Sequence, residues 1–382
     1  MVVNSTENDT AASIDLTNVT GLTTVSAKFT TNTNDDQISL VKLPAGTNVK
    51  LTSTHATADN LVIGAADAST TTTAAKVEVA SVASATATVN IDAAGVETFT
   101  LFNKTGGNSA ATTNFDLAGV TPTTGSNTKI IVTGVGATLK SLASGVNEVD
   151  ASGATGAITI AAADRPDTAM TITTSTGDDS IAMDHKSDVI DAGTGTDTLV
   201  IGGNGVLGGF AVDLTSTTDQ VTQYAGVANA AIQKGFEHID ASAVTGSFGF
   251  DITGTTGNNT ITVNDGNSNV DAGKGNDTIS GGEGVDVLKG GAGNDTIYGS
   301  ITVGNIYSPS SGIWNQPEID WFTGGSGQDR FILFDTSPFD FRRYSWQDPT
   351  NDSAGDSAYF SPDSYAIITD FDINEDKLFL QE

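Results

Sequence analysis

Apolar residues recur along positions 254–299 with a period that suits neither a helix nor a simple strand. Ile261, Val270, Ile279, Leu288 and Ile297 stand nine residues apart. Two places before each comes an acidic or small polar residue, in turn Asn259, Ser268, Asp277, Asp286 and Asp295. Two places earlier again come Gly257, Gly266, Gly275, Gly284 and Gly293. Such a unit predicts a glycine-rich turn followed by a short strand whose central side chain points inward. Two units then close one coil of 18 residues, and successive coils stack with strands roughly 4.8 Å apart. Asp277 falls between Asn259 and Asp295 on one edge, while Asp286 shares the other edge with Ser268.

The same period runs through Asp179, Asp188 and Asp197, followed at plus two by Ile181, Ile190 and Leu199. It returns at Asp320 and Asp329, with Phe322 and Phe331 in the apolar slot. After Asp295 the period would next fall on Gly304, and it resumes at Asp320 instead, so 16 residues are looped out of it. A longer repeat links the remainder, because IDLTNVTG (14–21), VDASGATG (149–156) and IDASAVTG (239–246) align without gaps. The expected fold is therefore all-β: a parallel β-solenoid with acidic, glycine-rich nonapeptide turns and an aromatic-rich C-terminal cap. Its expected parts are a degenerate solenoid or other β-rich domain over 1–144, the region of nine-residue turns over 145–299, an inserted surface loop over 300–318, and the last turns and cap over 319–382. A separate β-sandwich for residues 1–140 is the alternative for the first part. AGVANAAIQKGFEHI (225–239) is the one segment expected to hold a helical turn or two. The cap is assigned to aromatic sequence such as SPFDFRRYSW (337–346), in which Arg342 and Arg343 are expected to pair with local carboxylates.

Charge makes the turns chemically specific. The chain carries 46 acidic against 16 basic residues, a formal net charge of −30, and no cysteine. Disulfides, thiolate nucleophiles and zinc–thiolate sites are thereby excluded, and nucleic acid and anionic membrane would be repelled. No run of 18 apolar residues offers a membrane span. Two carboxylates one coil apart repel by about 0.9 to 3.5 kcal/mol at an effective dielectric of about 80 to 20. A hard cation between them reverses the sign, and calcium, which takes carboxylate and carbonyl oxygens in flexible geometry, fits better than magnesium. The candidate carboxylate and polar ligands are Asp179, Asp188, Asp197, Asn259, Asp277, Asp286, Asp295, Asp320 and Asp329. The glycines expected to aim turn carbonyls at the ions are Gly195, Gly273, Gly275, Gly282, Gly284, Gly291, Gly293 and Gly327.

GKGNDTISG and GGAGNDTIYG resemble the hemolysin-type, or RTX, calcium-binding nonapeptide GGxGxDxUx, in which U is apolar. The resemblance implies a parallel β-roll with calcium between its turns, and type I secretion of a chain that calcium folds outside the cell. Asn259 and Ser268 depart from the pattern, as do Lys186 and Glu318 at glycine positions. The three histidines, His55, His185 and His238, belong to no metal-ligand or catalytic motif, and no nucleophile elbow or phosphate loop is present. The expected function is a non-enzymatic, secreted calcium-binding structural protein of the bacterial cell surface, similar to RTX-bearing S-layer proteins. Calcium, a second copy of the chain and a cell-surface polysaccharide are the candidate partners. The alternative is the secretion and folding module of a larger secreted enzyme, adhesin or toxin.

Overall fold

The structure is a computed structural model. It describes residues 1–5, 12–16, 19–29, 37–43, 47–53, 59–65, 74–81, 88–104, 113–202, 208–244, 248–282, 284–301, 319–335 and 365–381. These divide into two units, Met1–Val200 with Ala231–Gly235, and Ile201–Ala230 with Phe236–Glu382.

In the first unit successive strands alternate between two parallel sheets, each strand pairing with the next but one until Val189–Asp191, which pairs with the later strand Gln233–Lys234. One sheet begins with Val2–Ser5, Thr24–Phe29 and Asn48–Ser53 and ends with Thr171–Thr173, Val189–Asp191 and Gln233–Lys234. The other begins with Ala12–Asp15, Gln37–Leu43 and Asp59–Ala65 and runs on through Ile158–Ile160 to Ser180–Met183. Every described pairing here is parallel, which is solenoid geometry and not the antiparallel pairing of an ordinary sandwich. Coil length shortens along the chain. The long coils come first, where Val2 pairs with Ser26 and Ser26 with Lys50, and the short ones later, where Ile172 pairs with Ile190. Inward positions alternate with outward ones, so Phe99, Leu101, Phe115, Ile130 and Val132 are buried between the sheets.

The second unit opens with an antiparallel meander, Phe210–Asp213, Val221–Tyr224 and Val227–Ala228, and continues in parallel through Phe250–Thr253, Asn269–Asp271, Val287–Ala292, Ile319–Ser326 and Tyr365–Ile368. Its facing sheet contains His238–Asp240, Thr260–Thr262, Thr278–Ser280, Thr296–Ile301, Arg330–Asp335 and Lys377–Gln381. The nine-residue slot is the core. Ile261, Ile279, Ile297 and Phe331 from one sheet, and Val270, Leu288 and Phe322 from the other, are all at most 1 % exposed. Ile279 pairs with Ile261 and Ile297, and Leu288 with Val270, which is the 18-residue coil.

The expected helical turns at 225–239 are absent. Instead Val227–Ala228 and Gln233–Lys234 are short strands, and the helical content of the described residues is a single 3-10 turn at Ala162–Asp164. The cause is local: Ala225, Gly226 and Gly235 take positive φ of 52°, 77° and 89°, which breaks a helix at both ends. Residues 302–318 and 337–346, including Trp314, Trp346, Arg342 and Arg343, lie outside the described residues, as does His55. The register still reports the insertion. Leu288 pairs with Phe322 and Ile297 with Phe331, so the coil that carries the insertion exceeds an undisturbed one by the length of the looped-out segment.

Candidate metal centre

The second unit stacks its turns on two edges. On one edge the turns ending at Asn259, Asp277, Asp295 and Asp329 form a column. The other edge carries Ser268, Asp286 and Asp320. The aspartates and the asparagine are at most 2 % exposed, and Ser268 is 3 % exposed. One hydrogen bond repeats throughout. The Oδ1 of each acidic residue accepts the backbone N–H of its counterpart one coil earlier: Asp277 from Asn259 at 2.7 Å, Asp295 from Asp277 at 2.8 Å and Asp329 from Asp295 at 2.9 Å. On the other edge Asp286 accepts from Ser268 at 2.8 Å and Asp320 from Asp286 at 3.0 Å. The first unit repeats the bond between Asp197 and Asp179, at 2.8 Å.

The second carboxylate oxygen is treated differently. The Oδ2 atoms of Asp179, Asp277, Asp295 and Asp329 are buried without a hydrogen-bond partner. A buried charged oxygen left in that state is costly, on the order of 1–3 kcal/mol or more. Burial raises the carboxyl pKa of Asp179, Asp277 and Asp295 above the ordinary 3.8, that of Asp277 to about 6, with Asp295 adding repulsion. Asp329 is likewise raised to about 6, first by burial and then by its acidic neighbours.

Glycine geometry supplies the rest of the cradle. A methyl group on Gly281, Gly290 or Gly324 would overlap the Oδ2 of Asp286, Asp295 or Asp329. Gly273, Gly291 and Gly325 have φ of 100°, 112° and 103°, and each lies so close over the carbonyl of the preceding coil that no side chain fits between them. Gly275, Gly293 and Gly327 form a second such row, Gly282 and Gly284 do the same on the other edge, and Gly195 lies over Gly177 in the first unit. Among the described residues no group of three or more His, Asp or Glu side chains gathers as a metal site. A resident ion would therefore draw on paired carboxylates together with turn carbonyls. That all-oxygen donor set suits calcium.

Two candidates in the acidic slot already have partners. Asn259 accepts the Thr255 N–H at 2.7 Å on Oδ1, and its Nδ2 donates to the carbonyl of Glu237 at 2.6 Å. Asp188 faces a buried guanidinium: Arg165 Nη2 lies 2.8 Å from its Oδ1 and 3.1 Å from Asp184 Oδ1, while Nη1 donates to the Ala182 carbonyl. The N–H groups of Met170, Asp184 and His185 complete the shell of Asp188. A protein cation thus stands where the neighbouring turns leave an oxygen bare. Sequence reading missed this arginine, and it missed Gly281, Gly290 and Gly324. It also missed a ladder of side-chain amides, in which Asn258 accepts from the N–H of Asn276, Asn276 from Asn294, and Asn294 from Gln328, at 2.7–2.8 Å.

Stacked glycine turns with inward apolar residues and paired buried carboxylates define a parallel β-roll of the calcium-binding kind. In agreement, residues 253–288 and 280–301 match the family model of the RTX calcium-binding nonapeptide repeat, in 4 copies. The chain carries RTX calcium-binding repeats. No curated protein and no solved structure is matched by it.

Proposed function

We propose that this chain is a secreted structural protein that calcium folds and then assembles at the bacterial cell surface, in the manner of an S-layer. The observation that carries the reading is the column of buried carboxylate oxygens, each without a hydrogen bond and each facing an acidic partner one coil on. Such a column is self-repelling until divalent cations enter it. RTX repeat proteins are typically secreted, into surroundings where calcium is abundant, and the absence of cysteine is compatible with that route. Among the described residues no helix is long and apolar enough to cross a membrane. The role is structural and not catalytic, because the turn columns account for the buried carboxylates and the described histidines serve the backbone. His238 Nδ1 accepts from Thr260 N–H and His185 Nδ1 from Ser187 N–H.

Assembly follows from charge. At −30 the chains repel one another until cations neutralise them, so calcium is needed once for folding and again for contact between copies. Light scattering should show monomers in chelator and ordered oligomers or sheets as calcium rises through the millimolar range, with magnesium a poor substitute. A chain that stays monomeric at several millimolar calcium would instead support the reading as the folding module of a larger secreted protein.

A further inference from the structure

Four and two places before Asp197, Asp277, Asp286, Asp295 and Asp329 the chain has a glycine, each with φ between 74° and 154°. These left-handed positions give the repeat turns their shape. The turn that ends at Asp188 has Asp184 and Lys186 in those places, and neither takes a positive φ. It is a turn of another build, with a second carboxylate where the repeats have backbone alone.

A guanidinium fills it. Arg165 comes from the turn one coil earlier, before Thr171–Thr173, which pairs with Val189–Asp191. The side chains of Arg165 and Asp188 are both 0 % exposed, and that of Asp184 is 11 % exposed. Arg165 Nη2 lies 2.8 Å from Asp188 Oδ1 and 3.1 Å from Asp184 Oδ1, and Nη1 donates to the Ala182 carbonyl. Two carboxylates and a carbonyl around one positive charge are the oxygen donors that a bound calcium would draw on. The arginine is held from behind, because Asp164 accepts the Ser141 N–H on Oδ1 at 3.2 Å and the Leu142 N–H on its carbonyl at 2.7 Å.

The same aspartate receives the returning chain. The chain leaves the first unit after Val200 and re-enters it at Ala231. There Ile190 pairs with Gln233 and Asp191 with Lys234, outside the period of the repeats, and Gln233 Nε2 donates to the Asp188 carbonyl. Asp188 thus ties together the Arg165 turn, its own turn and the returning strand. A bound ion stabilises only while it is present in solution, whereas a tethered guanidinium is there at every calcium concentration.

We propose that Arg165 is a built-in cation in the place of an ion, which closes the coil of Asp188 and docks the returning strand Gln233–Lys234 whether or not calcium is bound. The calcium reading of the repeats supplies the contrast on which the proposal rests. The clasp keeps this end of the first unit folded while the repeats wait for metal.

Hydrogen exchange of the full chain, in calcium and in excess chelator, tests it with the unmodified protein, Arg165→Met and Lys234→Met. Methionine keeps an unbranched apolar stem and removes the charge. In the unmodified chain 182–191 and 231–235 should be equally protected in the two conditions, while 253–301 loses protection in chelator. Arg165→Met should exchange both clasp segments at least tenfold faster in chelator, since it leaves buried carboxylates without their partner. Lys234→Met should leave them within about twofold, because its ion pair with Asp191 is open to water. Protection of 182–191 and 231–235 that falls in chelator together with that of 253–301 would overturn the proposal, as would unchanged exchange in Arg165→Met. If 253–301 does not respond to calcium, the reading of the repeats fails, and the clasp stands or falls by Arg165→Met. Should Arg165→Met fail to fold, the unmodified chain compared in the two conditions decides.

Discussion

A carboxylate oxygen shut away from water and from every N–H is tolerated where something else satisfies it, and the chain contains two ways of doing so, one in each unit. Asp188 has the Arg165 guanidinium, and the Oδ2 of Asp277 has nothing of the protein's own. Removing one partner of a buried ion pair costs about 3–5 kcal/mol. Arg165→Met should therefore destabilise the first unit by about that amount even in chelator, read as a lowered unfolding midpoint in denaturant, and a shift under about 0.5 kcal/mol would contradict the pairing. Asp188→Ala should leave the number of bound calcium ions unchanged, while Asp277→Ala should lower it, since Asp277 lies between two coils. Equal effects of the two in a calorimetric titration would argue against the 18-residue column. Gly290→Ala places a methyl group on the Asp295 carboxylate and should weaken calcium binding at that turn at least tenfold, without the backbone strain that Gly291→Ala adds at φ 112°.

At the scale of the turn and its strand, the carboxyl column makes the metal-free roll sensitive to acid in an unusual direction. Asp277 and Asp329 have folded pKa values of about 6 against an ordinary 3.8, so between those pH values the folded chain holds protons that the unfolded chain has released. Stability contributed by these groups is then greatest below pH 3.8 and is lost as pH rises toward about 6. In chelator the strand signal of the repeat region should be stronger near pH 5 than at pH 7, where the metal-free roll unfolds, and calcium affinity should fall as pH drops below about 6. A strand signal that rises from pH 5 to 7 in chelator would show that these carboxyls are not buried as described. The elements behind this behaviour were largely legible in the sequence, because the period of nine fixes the inward residue, the acidic residue and the glycines together. It gave the coil length, the pairing of Asp277 with Asn259 and Asp295, and the 16-residue insertion. Arg165 was not legible, since it pairs with a residue 23 positions away from a turn that the period does not reach. The strands at 227–228 and 233–234 were hidden for another reason: apolar spacing there suits a helix, and only the left-handed backbone at Ala225, Gly226 and Gly235 forbids it. The likeness of VDAS and IDAS has a local cause, since Asp150 and Asp240 each accept the N–H and the hydroxyl of the serine two residues on.

For the whole molecule the balance of forces puts calcium in control of the repeat region and much less so of the first coils. An extracellular-type site with a dissociation constant near ~0.1 mM contributes about 1.4 kcal/mol at about 1 mM calcium. Several such sites together approach the roughly 5–15 kcal/mol that hold a typical domain folded. The coils over 113–160 rest instead on buried Phe115, Leu117, Ile130, Val132 and Leu139, and on Lys129 bridging Glu148 and Asp150 at 2.7 and 2.9 Å. Hydrogen exchange of the intact chain in calcium and in excess chelator tests this division most directly. Peptides from 253–301 should be protected in calcium and exchange freely in chelator, while those from 113–160 change little. Equal protection of 253–301 in the two conditions would contradict the claim that calcium folds the roll.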